Sequence, residues 1–326
     1  MEKDCHGRPA AKAGADVPKD ALARLAQARA SAAADGTLRH EEIPLTYEGR
    51  SFRGRMCWCE GAGSRPLVLV VHNYAGLKRF DEEQAAYVAR CGFAALAVDM
   101  YGDDTSDPAT RVKTAANAAQ HYAVAFGAMN HTLRDHFLLR GLLAAWLAAG
   151  RAHPSVEAAG RAAACGYCYG GMAMFEMVRM GLDVDAVVSF HGVLQSDPIA
   201  LPTDDPAAFD GVPSRAPPAT YARAGHTRVL VANGDADTYV TPVSAAAWKA
   251  EMDGAGVDWF WHDYARTPHG FALAPDICTE YTEAADRRST QAMWALLAEV
   301  WPDVAQSPVP LNACGTPINA PRACRQ

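Results

Sequence analysis

The chain predicts an α/β fold: a mostly parallel central sheet with helices on both faces and an antiparallel N-terminal edge. Three observations carry this. After residue 66, strand-like and helix-like segments alternate, as they do in a parallel sheet wrapped by crossover helices. Arg228-Val-Leu-Val-Ala-Asn233 is an apolar run of the length of one strand buried on both faces. Gly166-Tyr167-Cys168-Tyr169-Gly170-Gly171 sets a tight glycine turn between the apolar stretch Arg161–Cys165 and the helical pattern Met172–Arg179.

The elements follow in order. Residues 1–38 form an Ala-rich extension in which Asp20–Ala34 has helix-forming composition but a weak apolar stripe. Glu42–Tyr47 and Ser51–Glu60, separated by Glu48-Gly49, predict an antiparallel hairpin on the sheet edge. A first core strand is expected before the loop that carries Asn73, and further ones at Phe93–Met100, Arg161–Cys165, Val187–Phe190, Arg228–Asn233 and Val257–His262. Helices are expected at Phe80–Cys91, about Pro108–Met129, His131–Ala149, Gly170–Met180, Pro242–Asp253 and Glu280–Val300. The Pro-, Asp- and Ala-rich stretch Gln195–Gly225 is long for a plain connection and reads as a lid or binding loop. The body of the fold spans residues 39–302, and residues 303–326 form a Pro- and Gly-containing tail.

Composition limits the function classes. Half of the 326 residues are hydrophobic, ample for one large core. The net charge is −7 with no basic run, which argues against a nucleic-acid partner. No apolar stretch approaches the roughly 18 residues of a membrane span. The polar start Met-Glu-Lys-Asp-Cys lacks the apolar segment of a secretory signal, so a cytoplasmic protein is expected. Nine cysteines at irregular spacing in a chain of this length do not form a disulfide framework. Cys57 and Cys59 fall on one face of a strand without a CxxC or histidine partner, so no metal site is expected. Cys91 and Cys165 read as core residues, and Cys314 and Cys324 could pair with each other in the tail. There is no phosphate-binding glycine loop, and no cofactor is implied.

The glycine turn has the strand–turn–helix context of a nucleophile elbow, with Cys168 at its apex. A thiol at a helix N-terminus is favoured as thiolate, the reactive form. On an α/β-hydrolase fold an acid and then a histidine must follow the nucleophile in chain order. The acid comes from Gly234-Asp235-Ala236-Asp237, at the carboxyl edge of a parallel strand, where sites assemble. Asp235 is in the position of a turn former, while Asp237 lies further into the loop and is favoured. The base is His262 at a strand end or His269 in the loop beyond; His269 is favoured, because the glycine after it lets the backbone fold close to the site. His191 and Tyr101 end strands on the same edge, where either can line a pocket or serve as structure. Tyr167 and Tyr169 read as packing residues.

These residues resemble the dienelactone hydrolase family, the carboxymethylenebutenolidase-like branch of the α/β-hydrolases, over about Leu67–Trp301. The markers are Val68–Leu77, Phe93–Gly102, the Gly-Tyr-Cys-Tyr-Gly-Gly elbow, Val187–Gly192, Gly-Asp-Ala-Asp, His269-Gly-Phe and Tyr281–Ser289. The resemblance implies a Cys168, Asp237 and His269 triad and hydrolysis of a small ester or lactone. In the family a glutamate follows the first core strand and helps activate the thiol; Asn73 stands there in this chain. An arginine shortly after the histidine holds the substrate carboxylate, and here Leu273 replaces it, with Arg111 a candidate for a second arginine.

The mechanism expected is attack by Cys168, a thioester intermediate, and water activated by His269. The oxyanion would be held by the backbone N–H groups of Tyr169 and Tyr74. The substrate pocket is expected to include Asn73, Tyr101, His191 and Leu273. Acyl transfer or thioester hydrolysis on the same fold is a second reading. A non-catalytic binding protein that kept the scaffold is a third, motivated by Asn73.

Overall fold

The computed structural model describes residues 38–60, 63–102, 114, 116–200, 210–275 and 277–304. The Ala-rich extension, Arg111, the Cys314–Cys324 pair and nearly all of the tail lie outside the described residues.

Among the described residues the strands are β1 (Leu38–Tyr47), β2 (Arg50–Cys59), β3 (Leu67–Val71), β4 (Ala94–Val98), β5 (Ala162–Tyr167), β6 (Ala186–Phe190), β7 (Arg228–Gly234) and β8 (Asp258–Tyr264). They form one sheet in the order β1-β2-β4-β3-β5-β6-β7-β8. β1 and β2 are antiparallel to each other, β2 is antiparallel to β4, and every pair from β4 to β8 is parallel. The hairpin turns at Glu48 and Gly49, both at positive φ, where two-residue turns of this hand place them.

The helices are α1 (Arg79–Arg90), α2 (Ala118–Arg134), α3 (His136–Arg151), α4 (Tyr169–Met180), α5 (Pro242–Gly254) and α6 (Glu283–Val300). Alternation along the strands sends each residue to one of two cores. Leu67, Leu69 and Val71 of β3 face α2, α3, α4 and α5, whereas Val68 and Val70 face α1 and α6. β3, β4 and β6 are buried along their whole length, which is why they read as continuous apolar runs.

The break between α2 and α3 falls at Asp135, five residues after the predicted one. The Asp135 carboxylate accepts from the N–H groups of Phe137 and Leu138, capping α3, and the preceding helix ends there. β5 runs on to Tyr167, two residues past the predicted end, because pairing with β6 continues to Tyr167 opposite Phe190.

Of the stretch predicted as a lid, residues 201–209 lie outside the described residues. The part from residue 210 onward is strapped across α3 and α4. Arg215 pairs with Asp135 at 2.8 Å, and Arg140 donates to the carbonyls of Pro217 and Pro218. The strap rests on a buried ion network. Glu176 of α4 accepts from Arg140 at 2.7 Å, from Arg179 at 2.8 Å and from the Ser196 hydroxyl at 2.7 Å, and Arg179 reaches on to Glu251. Burial alone would raise the Glu176 carboxyl, but Arg179 and Arg140 bring it down to about 2.

No helix among the described residues is long and apolar enough to cross a membrane. Among the described residues Cys57, Cys91 and Cys165 are buried and form no disulfide, and no group of three metal-ligating side chains occurs.

Candidate active site

The carboxyl ends of β3, β5, β6, β7 and β8 lie side by side, and each leads into a segment carrying a candidate residue. The elbow comes first. Cys168 sits between β5 and α4 with φ 55° and ψ −110°, a conformation that costs a non-glycine residue energy and persists only where its surroundings impose it. They do so through close backbone approach. A Cβ on Gly170 would stand 2.1 Å from the carbonyl oxygen of Val71, and one on Gly166 would stand 2.2 Å from that of Gly170. The glycines thus let the start of α4 press onto β3. Cys168 is itself the N-cap of α4, so its sulfur stands at the positive end of that helix.

The candidate acid and base meet beyond β7 and β8. His269 Nδ1 donates to Asp237 Oδ2 at 2.7 Å, and both side chains are buried. The other Asp237 oxygen accepts from the N–H of Tyr239 at 2.8 Å, which fixes the carboxylate. Gly234 makes the approach possible, since a Cβ there would lie 2.2 Å from the carbonyl oxygen of Thr267. Tyr239 covers the imidazole at 4.7 Å between ring centres. Burial pulls His269 towards the neutral form, but the Asp237 carboxylate and the facing Cys168 sulfur outweigh it and hold the imidazole well above its ordinary range. The competing residues stand apart: Asp235 and His262 are exposed.

The loop after β3 carries Asn73 and Tyr74. Asn73 Oδ1 accepts from the N–H of Ala75 at 2.8 Å, an Asx turn that shapes the backbone around Tyr74. The Asn73 carboxamide oxygen is therefore engaged within its own loop. The Tyr74 ring is buried against Phe126 at 5.1 Å and Tyr122 at 6.0 Å. The register Val71 opposite Gly166 sets this loop beside the elbow. Tyr169 begins α4, and the first N–H groups of a helix have no intrahelical acceptor.

His72 was not singled out by sequence reasoning. It is fully buried, its Nε2 accepts from the N–H of Met100 at 3.0 Å, and its Nδ1 donates to the Asn73 carbonyl at 2.6 Å. Burial lowers its pKa to about 3, so it is a neutral strut joining the end of β4 to the Asn73 loop. The Tyr169 ring stacks on it at 5.6 Å and bonds Thr132 at 2.9 Å, the packing role expected. Tyr167 likewise stacks on Phe190 at 4.8 Å. The available signal for His72 was a histidine directly after an all-apolar strand.

Tyr101, at the end of β4, is buried against His72 and Tyr169, and its hydroxyl has no hydrogen-bond partner among the described residues. Leu273 is buried in the turn after His269. His191 follows β6 with φ 41°, its ring edge-on to His269 at 5.1 Å. Neither of its ring nitrogens has a partner among the described residues. A groove of about 460 Å³ lined by Trp58, Cys59, His153 and Ser155 lies at the opposite end of the sheet, beside the start of β4, remote from Cys168.

Comparison with known proteins agrees with this fold. A dienelactone hydrolase-like promiscuous phosphotriesterase from metagenomic libraries superposes with a TM-score of 0.62 at 28% identity, covering 81% of this chain and 99% of that one. The structure titled m3DLH superposes with a TM-score of 0.64 at 29% identity, with the same coverage. The Caenorhabditis elegans protein K02A2.1 is 28% identical over 145 residues, which span 42% of this chain and 79% of that protein. Residues 52–301 match the model of the dienelactone hydrolase family. With the sheet order, the elbow and these likenesses together, the chain belongs to the dienelactone hydrolase family of α/β-hydrolases and is a hydrolase that acts on ester bonds.

Proposed function

We propose that the chain is a cysteine-dependent hydrolase of small activated esters or lactones, working through a thioester on Cys168. The observation that carries this reading is the buried Asp237–His269 pair, 2.7 Å apart, facing a cysteine held at a strained helix N-cap. Asp237 fixes the imidazole with its proton on Nδ1 and balances the charge when both nitrogens are protonated.

Once its proton has passed to His269 Nε2, the Cys168 sulfur attacks the acyl carbon, and the oxyanion is held by the backbone N–H groups of Tyr169 and Tyr74. Collapse breaks the C–O bond, and the leaving alkoxide takes the proton from His269. Water then adds to the thioester, giving its proton to His269. The sulfur leaves, and the carboxylic acid departs. A thiolate is a good leaving group as well as a good nucleophile, so activated esters and lactones suit the site better than amides. Apolar Leu273, where the resemblance implies an arginine, favours neutral substrates over anionic lactones.

The test is turnover of a short chromogenic ester, a lactone panel including dienelactone, and a phosphotriester, by wild type and by Cys168→Ala. Loss of ester and lactone turnover by about 10⁴-fold or more in the variant supports the nucleophile. Turnover that survives in Cys168→Ala overturns it. Phosphotriester turnover exceeding ester turnover would move the substrate class toward that of the metagenomic relative.

A further inference from the structure

His191 is a buried titratable group against His269 that the proposed reaction does not use. It follows β6, the strand between the elbow strand β5 and the acid strand β7. It is fully buried, and its backbone N–H donates to the Ala232 carbonyl at 2.9 Å while its φ is 41°. Tyr167 lies 6.0 Å away, Phe271 lies 5.3 Å away, and His269 meets it nearly perpendicular at 5.1 Å. Both ring nitrogens lack hydrogen-bond partners among the described residues.

A buried nitrogen without a partner destabilises a fold, and a phenyl ring would fill the same outline without that penalty. An imidazole against the catalytic base therefore has a use that a phenyl ring would not serve. Burial and the charge on His269 keep His191 neutral, with one nitrogen able to accept and the other to donate. The polar species that the proposed reaction brings to the edge of His269 after the alcohol has left is water.

We infer that His191 holds the hydrolytic water beside His269. This rests on the acyl-enzyme reading above. In the thioester intermediate the water oxygen attacks the acyl carbon and one hydrogen passes to His269. The other hydrogen stays on the oxygen and is held by the accepting nitrogen of His191. The C–S bond then breaks, the electron pair returns to sulfur, and no proton is transferred to His191. A site that holds water in this way directs the thioester to hydrolysis instead of transfer to another alcohol.

The experiment follows p-nitrophenyl acetate in a stopped-flow instrument with wild type, His191→Phe and His191→Asn, each checked for folding by circular dichroism. His191→Phe is expected to release the first equivalent of p-nitrophenolate at the wild-type rate. Its steady state slows by about tenfold or more, the scale of losing one held water, and the acetylated protein accumulates in intact mass spectra. His191→Asn, which keeps an acceptor, recovers part of the deacylation rate. Should His191→Phe fail to fold, methanol partitioning in His191→Asn carries the test: the share of methyl acetate rises above that of wild type. Equal slowing of both steps, no slowing of either, or unchanged partitioning overturns the inference. If p-nitrophenolate release survives Cys168→Ala, the acyl-enzyme reading falls and this inference with it. If release is lost in Cys168→Ala but no step-specific effect appears at His191, this inference alone falls.

Discussion

His269 shows how one imidazole is set by three opposing influences. Burial disfavours its charge, while Asp237 and Cys168 favour it. Asp237→Asn removes the strongest favourable influence, so the imidazole pKa falls, as an NMR titration of the His269 ring would show. The variant should lose about 10³–10⁴-fold in kcat, because an amide can hold the wrong tautomer. The sign for stability follows from a folded pKa raised above the unfolded value of about 6.5. The stabilisation is fully present below pH 6.5 or so and is lost as pH rises through the folded value. The stability gap between wild type and Asp237→Asn should therefore be widest in mild acid and narrow in alkali. Asn73 makes a second prediction. Asn73→Ala removes the acceptor of the Ala75 N–H and should lower kcat about tenfold with KM little changed, since the Tyr74 N–H is displaced and not deleted. Asn73→Asp keeps the acceptor and should retain most of the rate. At this scale the sequence was informative where a chain order is fixed: Asp237 and His269, favoured there over Asp235 and His262, are the pair that meets in the fold. It was silent on where a carboxamide points, which a turn within the Asn73 loop decides, and on His72, which is held by the Met100 N–H from another element.

Each element is held by contacts that a single substitution can test. Gly170→Ala would drive a methyl group into the Val71 carbonyl, backbone against backbone, where no side chain can move aside. A loss of several kcal/mol, about 3–5, or failure to fold is expected in chemical denaturation. Arg140→Met leaves Glu176 buried with one guanidinium fewer and frees the strap at Pro217 and Pro218. Breaking a buried pair in this way costs about 3–5 kcal/mol, measurable as a lower urea midpoint. Strand and helix identity was legible from apolar runs and spacing because β3, β4 and β6 are buried on both faces. The break at Asp135 was less so. The preceding Asn130-His131 looks equally like a boundary, and only the capping bonds of Asp135 decide between them.

For the whole molecule, the alternation of strands and helices fixes a parallel sheet, and the hairpin signal at Glu48-Gly49 fixes its antiparallel edge. The strand order could not be read from alternation alone, because nothing local says that β4 lies between β2 and β3. The body is closed by Trp301, the last residue of the family match, fully buried with its indole N–H on Asp185 at 2.8 Å. Trp301→Ala should cost about 3–5 kcal/mol and lower Tm in one transition, seen by calorimetry. β8 has another consequence. Among the described residues it pairs with β7 alone, and it leads directly to the loop of His269, while the elbow sits three places inward. Outer strands open at lower free energy than inner ones. His269 can therefore part from Cys168 while most of the sheet stands intact. Ester turnover should fade at lower urea concentrations than the far-ultraviolet signal, so fraying at one margin silences the enzyme well before the molecule unravels.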